Sequence, residues 1–464
     1  MAIKREYGAE QPGVKLGIFT LRLPVIHYRL EWPEFVQGIF CTAVSAAAYV
    51  YHMENLGISF ELAFALTVLN ELLYFIHVTL GDPVCPGWIT PSIPLTLSYL
   101  SAYAVGPERI KALAAVQIIL AVVFFFFGIT GLAKKIIGIV PKSMQAGILL
   151  GAGFSAVNSV IKTGGRVQGM EVSFWVGAIV SLFILYSLHF GKVRKRNKFI
   201  DVMGKAGIVP GMIVALIVGI VIGEVQVPEI QMTIFHNFRF GEMLAQTSIF
   251  GIGFPDISMW LNAIPLVISI YIIAFGDFIT AEALIRDADD VRKDEKIDFN
   301  PSRSNILSAI RNLIEGFLCP QATLAGPLWG AGTIAVAERY KTGRREMDSI
   351  FSGMGTLKLS MVIGIFIMPL MTLFTPVSPI LVSLTLFVQG FASGYIAMEM
   401  VKTREERGCA LIMGTATGFV GAALGLGVGV ILHLLIGVDK KRAKELEELE
   451  SEFKNEQENA KNEA

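Results

Sequence analysis

Apolar runs of about 20 residues recur along nearly the whole chain, separated by short polar or charged stretches. Each run is long enough to cross the roughly 30 Å hydrocarbon layer of a bilayer. The pattern predicts helical spans at 34–53, 60–80, 86–104, 111–132, 141–161, 172–190 and 207–224. A mixed segment follows at 225–260. The second set lies at 261–284, 304–318, 319–337, 347–371, 377–398, 408–421 and 422–437. The last two are short and Gly-rich, so one span or two could lie there. A barrel would give short alternating segments instead. The expected fold is therefore an all-α polytopic membrane protein with about 14 transmembrane spans.

Two of these runs are interrupted alike. "GDPVCPGWITPSIPLTLSYL" begins at Gly81 and "EGFLCPQATLAGPLWGAGTI" at Glu315. Their Cys-Pro pairs, at Cys85 and Cys319, lie 234 residues apart in a chain of 464. Seven spans per half make the second half enter the membrane from the opposite side. The halves then read as inverted repeats, 34–224 and 261–437, with broken third and tenth spans. A cytoplasmic segment 1–33, an extracytoplasmic or interfacial connector 225–260 and a charged cytoplasmic tail 438–464 complete the division. Paired Gly/Pro-interrupted segments at matching positions point to the binding site of a transporter. Each break predicts an extended piece followed by a half-helix, whose free N–H groups and positive end suit an anionic or carbonyl-rich ligand.

Charge supports the layout. With the N-terminus cytoplasmic, the inside segments hold 32 Lys/Arg and the outside segments five, the bias of inserted proteins. Both termini are then cytoplasmic, in a cell (plasma or inner) membrane. The chain is 53% hydrophobic and 17% charged, with 39 acids against 39 Lys+Arg, so no nucleic-acid partner is expected. The N-terminus has no cleavable signal pattern. Four cysteines without a CxxC give neither a disulfide framework nor a zinc site, and "TGGRVQG" at Thr163 lacks the ending of a phosphate loop. No cofactor and no enzymatic chemistry are expected.

Asp277 stands inside the apolar run "LVISIYIIAFGDFITAEALI" with Thr280 on its helix face. A charge at the bilayer centre costs roughly 2.5–3.5 kcal/mol on insertion scales and is usually kept for function. Asp277 is read either as a substrate or coupling-ion contact or as an acid satisfied by a half-helix N-terminus. Glu282 is expected to pair with Arg286 at i+4, with ion coupling as its other role. Glu71 is a coupling group or a partner of Lys358. Arg311 and Glu315, at i and i+4, are expected to neutralise one another. His77 reads as a packing or interfacial residue. In the broken segments, Trp88, Thr90, Ser92, Gln321, Thr323 and Trp329 are either ligand contacts or groups that satisfy freed backbone. The cysteines read as buried and inert, and the glycines of 414–430 as surfaces for close helix packing.

Three stretches carry a family resemblance: Val140-Pro141-Lys142-Ser143 through Gly151-Ala152-Gly153, "FGDFITAEALIRDADD" from Phe275, and "NLIEGFLCPQATLAGPLWGAGTIAVAERY" from Asn312. With the layout, they resemble the xanthine/uracil (nucleobase–ascorbate) permeases and, more distantly, the sulfate permease-like anion transporters. The resemblance implies a seven-plus-seven inverted repeat with core and gate domains, a homodimer, and alternating access coupled to a proton or sodium ion. It implies a small polar solute, a nucleobase such as uracil or xanthine, with an inorganic anion or small carboxylate as the alternative. Nucleobase carriers usually place an acid in the half-helix of the tenth span. Here "LAGPLWGAGT" offers none, and Leu328 or Trp329 stands near its place.

Overall fold

Helices account for nearly all the regular structure in the computed structural model, which describes residues 3–194, 198–230, 232, 238–374, 376 and 378–436. After a short hairpin of β1 (Val14–Leu16) and β2 (Phe19–Leu21), the first half runs α1 (Trp32–Leu56), α2 (Phe60–Thr79), β3 (Gly87–Trp88), α3 (Ile93–Leu100), α4 (Pro107–Thr130), α5 (Leu132–Ile139) and α6 (Lys142–Ile161). It continues with α7 (Glu171–Tyr186), α8 (Leu188–Arg194), α9 (Lys198–Lys205) and α10 (Val209–Ile222). The connector holds α11 (Phe240–Thr247) and α12 (Ile249–Ile252). Then follow α13 (Ile257–Val291), α14 (Pro301–Leu318), β4 (Ala325–Gly326), α15 (Gly330–Lys341), α16 (Ile350–Gly364), α17 (Met368–Phe374), α18 (Ser378–Met400), α19 (Arg404–Phe419) and α20 (Ala422–Ile436).

The sequence punctuates these helices locally. Gly57, Gly131 and Gly223 end α1, α4 and α10 with positive φ, where a side chain would be strained. Asn300 caps α14, accepting from the N–H groups of Ser302 and Arg303. Capping boxes open α16 (Ser349/Ser352) and α19 (Thr403/Glu406), each satisfying otherwise orphaned donors.

Among the described residues, five helices are long and apolar enough to cross a membrane: α2, α4, α6, α13 and α18. A sixth span results if α7 and α8, bent by 64°, count as one. The fourteen runs read from the sequence correspond to more, shorter pieces. The run at 347–371 divides into α16 and α17, whereas the Gly-rich runs at 408–421 and 422–437 correspond to two helices, α19 and α20, parted at Gly421 (φ 143°). At 35 residues, α13 is about 52 Å long and exceeds the hydrocarbon thickness.

The described residues fall into two compact units, one drawn from Met1–Gly138 and Ser159–Gln389, the other from Ile139–Asn158 and Gly390–Ala464. In the second, glycines let helices approach as the small-residue pattern predicts. A Cβ on Gly147 would stand 2.7 Å from Met413 Sδ, and one on Gly414 2.7 Å from Leu150 Cβ. In the first, α4 and α14 pack closely, since a Cβ on Gly316 would meet Ile118 Cγ1 at 2.7 Å. This unit contains both interrupted segments.

Candidate functional site

Each Cys-Pro segment is an extended piece followed by a half-helix. In the first, α2 ends at Thr79, Gly81 takes φ 100°, and the chain runs extended through β3 before a single 3-10 turn at Thr90–Ser92 starts α3. In the second, α14 ends at Leu318 and the chain stays non-helical until α15. Leu324 sits there at φ 50°, a left-handed conformation costly for a non-glycine residue. The two segments pair antiparallel, Gly87 opposite Gly326 and Trp88 opposite Ala325. Trp329 N–H donates to the Cys85 carbonyl at 2.6 Å, and Cys85 N–H to Thr333 Oγ1 at 3.0 Å. A Cβ on Gly87 would stand 2.6 Å from Trp329 Cβ, so only glycine permits this crossing.

Extended backbone inside a bundle must find partners outside a helix. Side chains of α14 and α4 supply them. Asn312 Nδ2 donates to the Ala325 carbonyl at 2.7 Å while its Oδ1 accepts from Ala325 N–H at 3.3 Å. Arg311 Nη1 donates to the Gly326 carbonyl at 3.1 Å. Gln117 Oε1 accepts from Gln321 N–H at 2.9 Å, and its Nε2 donates to Glu315 Oε2 at 2.6 Å. Gln321 in turn donates to the Leu66 and Cys319 carbonyls.

Beside this ladder lie two fully buried cations, Arg311 and Lys358. Both face the Tyr74 ring: Arg311 Cζ lies 4.3 Å and Lys358 Nζ 4.7 Å from its centroid, and Lys358 Nζ is also 5.0 Å from the Trp329 ring. Neither has a carboxylate within 4.0 Å among the described residues. Neither the expected Arg311–Glu315 pair nor the alternative Glu71–Lys358 pair forms. Glu315 is held by Gln117, and Glu71 Oε1 accepts from Ser45 Oγ at 2.6 Å. Neutral donors thus take both acids, and the cations rest on aromatic faces. Around them, Glu71 Oε2, Ser308 Oγ, Gln321 Oε1, Thr323 Oγ1 and Arg311 Nε and Nη2 are buried without a hydrogen-bond partner among the described residues. Buried polar groups in this state call for water or a ligand.

The ladder brings Trp88, Thr323 and Trp329 into one crossing, with Thr90 and Ser92 on the turn that follows β3. Ser92 Oγ donates to the Ile89 carbonyl at 2.7 Å and Gln321 serves backbone, so both do the structural job open to them. Thr90 is half-buried. Asp277 is half-buried on α13, which packs against this turn and against α15. It has no hydrogen bond or ion pair with another described residue, and Thr280 Oγ1 nearby is likewise unpartnered. Glu282 pairs with exposed Arg286 at 2.5 Å. His77 is wholly buried and hydrogen-bonded at both ring nitrogens, to Asp82 and Arg311, which replaces the interfacial reading. Sequence reasoning passed over Tyr74, Asp82, Gln117 and Asn312. The available signal was polar spacing at three and four residues: Asn70, Glu71, Tyr74 and His77 on α2, and Ser304, Ser308, Arg311 and Glu315 on α14.

No family model matches the chain, and no curated protein matches it. Solved structures do. The murine Solute Carrier 26 family member A9 anion transporter is 14% identical over 88% of this chain and 69% of its own, with a TM-score of 0.48. The transmembrane domain of the cyanobacterium bicarbonate transporter BicA is 13% identical over 87% of this chain and 97% of its own, at 0.47. A further SLC26A9 structure is 15% identical over 87% of this chain, at 0.42, and this chain spans 64% of its length. None of the three is named as a nucleobase permease. Identities of 13–15% and TM-scores below 0.5 leave the function to be read from the site itself.

Proposed function

We propose that this protein is a secondary transporter of a small anion, an inorganic oxyanion or small carboxylate, bound beside the crossing of the two interrupted segments. One observation carries the reading: Arg311 and Lys358 are fully buried, share the Tyr74 ring and lack a carboxylate partner among the described residues. An uncompensated buried charge costs several kcal/mol, and a cation at bilayer depth is retained for function. A ligand anion supplies the missing charge, and the unpartnered Arg311 Nε and Nη2 supply donors for it. The same cations disfavour a cationic solute, and a neutral nucleobase would leave them uncompensated.

The solute moves by alternating access around this site, in the inverted-repeat arrangement with both termini cytoplasmic. A co-transported proton balances the charge. Asp277, Glu71 and Glu315 are its candidate carriers, because none has a cation within ion-pair distance among the described residues.

The test is uptake into proteoliposomes of labelled bicarbonate, sulfate, formate, uracil and xanthine. Saturable uptake of an anion with counterflow is expected, reduced at least about tenfold in Arg311→Gln and Lys358→Gln. Lys358→Gln should keep the wild-type melting temperature or exceed it, whereas Arg311→Gln also takes a donor from the Gly326 carbonyl. Uracil or xanthine uptake without competition by anions would overturn the reading, as would normal anion uptake by both variants.

A further inference from the structure

We infer that His77 and Asp82 form a positioning relay that fixes Arg311 for the anion and ties the two interrupted segments together; this rests on the anion reading. His77 lies on α2, Asp82 at the start of the first interrupted segment, and Arg311 on α14. All three are buried. His77 Nε2 lies 2.6 Å from Asp82 Oδ2, and His77 Nδ1 lies 3.1 Å from Arg311 Nη1.

The chemistry of the groups sets the direction of both bonds. A guanidinium only donates, so Nδ1 accepts and carries no proton. The ring proton then sits on Nε2 and is donated to Asp82. The imidazole is neutral in this arrangement, and the Asp82 carboxylate is spent holding the ring rather than cancelling the arginine charge. A carboxylate placed directly on Arg311 would compete with the ligand anion. A neutral imidazole orients the guanidinium and leaves its charge available. Arg311 Nη1 also donates to the Gly326 carbonyl on β4. The relay therefore runs from Asp82 on one interrupted segment, through α2 and α14, to the backbone of the other. His77 and Asp82 are positioning residues: they act through Arg311 rather than by touching the anion.

Two measurements test it. The first is the concentration dependence of anion uptake in His77→Ala, His77→Gln and Asp82→Asn. Loss of a charge-assisted bond should raise KM about tenfold in His77→Ala, with the maximal rate within about twofold of wild type. Asp82→Asn should raise it less. His77→Gln, which keeps one acceptor and one donor, should recover most of the loss. Unchanged KM in both His77→Ala and Asp82→Asn, in a protein whose wild type takes up anions, would overturn the relay while leaving the transport reading intact. The second is the ring-nitrogen NMR signature of His77 in detergent, which needs no transport. The Nε2–H form is expected, with loss of the single tautomer in Arg311→Gln. An Nδ1–H form or an imidazolium in the wild type would overturn the relay, even where absent anion uptake had already overturned the transport reading.

Discussion

Asn312 acts toward Ala325 as a third strand would, its amide both donating to the Ala325 carbonyl at 2.7 Å and accepting from its N–H at 3.3 Å. The second interrupted segment therefore has partners on both edges: the first segment through Gly87–Trp88 on one, a side chain of α14 on the other. Replacing Asn312 by Ala would strand two buried backbone groups, at about 1–3 kcal/mol each. The variant should melt several degrees lower in detergent, and uptake should fall with it. A melting temperature equal to wild type would remove Asn312 from the support of this crossing.

Asp277 contrasts with Asn312, since no described residue holds it. An acid retained at this depth without a structural partner is expected to act during transport. Asp277→Asn is nearly isosteric and removes the charge. Uptake should be abolished while counterflow exchange of bound anion persists, the pattern of a carrier that has lost its coupling ion. The melting temperature should hold or rise, because no ion pair is broken. Uptake at the wild-type rate would take Asp277 out of the mechanism.

The interrupted segments were legible because clustered Pro and Gly break a helix wherever they fall, even at membrane depth. Their half-chain spacing marks them as equivalent segments of two repeats, while the antiparallel pairing of their extended pieces, Gly87 with Gly326 and Trp88 with Ala325, emerges only in the structure. The Glu282–Arg286 pair was legible because i,i+4 neighbours lie on one helix face. The same rule misled for Arg311 and Glu315. Both lie on the inner face of α14, where Gln117 reaches Glu315 and His77 reaches Arg311 from other helices. Local spacing says which side chains can meet within a helix. It is silent on competitors brought by packing. Gln117 was missed for that reason, since its partner Glu315 lies on a different helix; Asp82, five residues beyond its partner His77, lies past the end of α2, where helical spacing no longer applies.

The amino-terminal segment offers a test outside the membrane. Arg5 donates to Gln11 Oε1 at 2.7 Å, Asp294 Oδ2 at 2.9 Å and the Asp348 carbonyl at 2.9 Å. Arg292 grips the same Asp294 carboxylate at 2.8 and 2.7 Å and donates to the Met347 carbonyl at 2.7 Å. Asp294 thus fastens the amino-terminal segment to the α13–α14 loop and, through both arginines, to the turn before α16. The Arg292 guanidinium beside Asp294 holds its carboxyl below the ordinary value of 3.8. A depressed carboxyl stabilises the folded state above its unfolded pKa, and that contribution is lost as pH falls below about 4. Asp294→Asn should therefore melt lower than wild type at neutral pH, and the two curves should converge on acidification through that window. A constant offset down to about pH 2.5, or none at neutral pH, would show that the carboxylate charge does not hold this junction together.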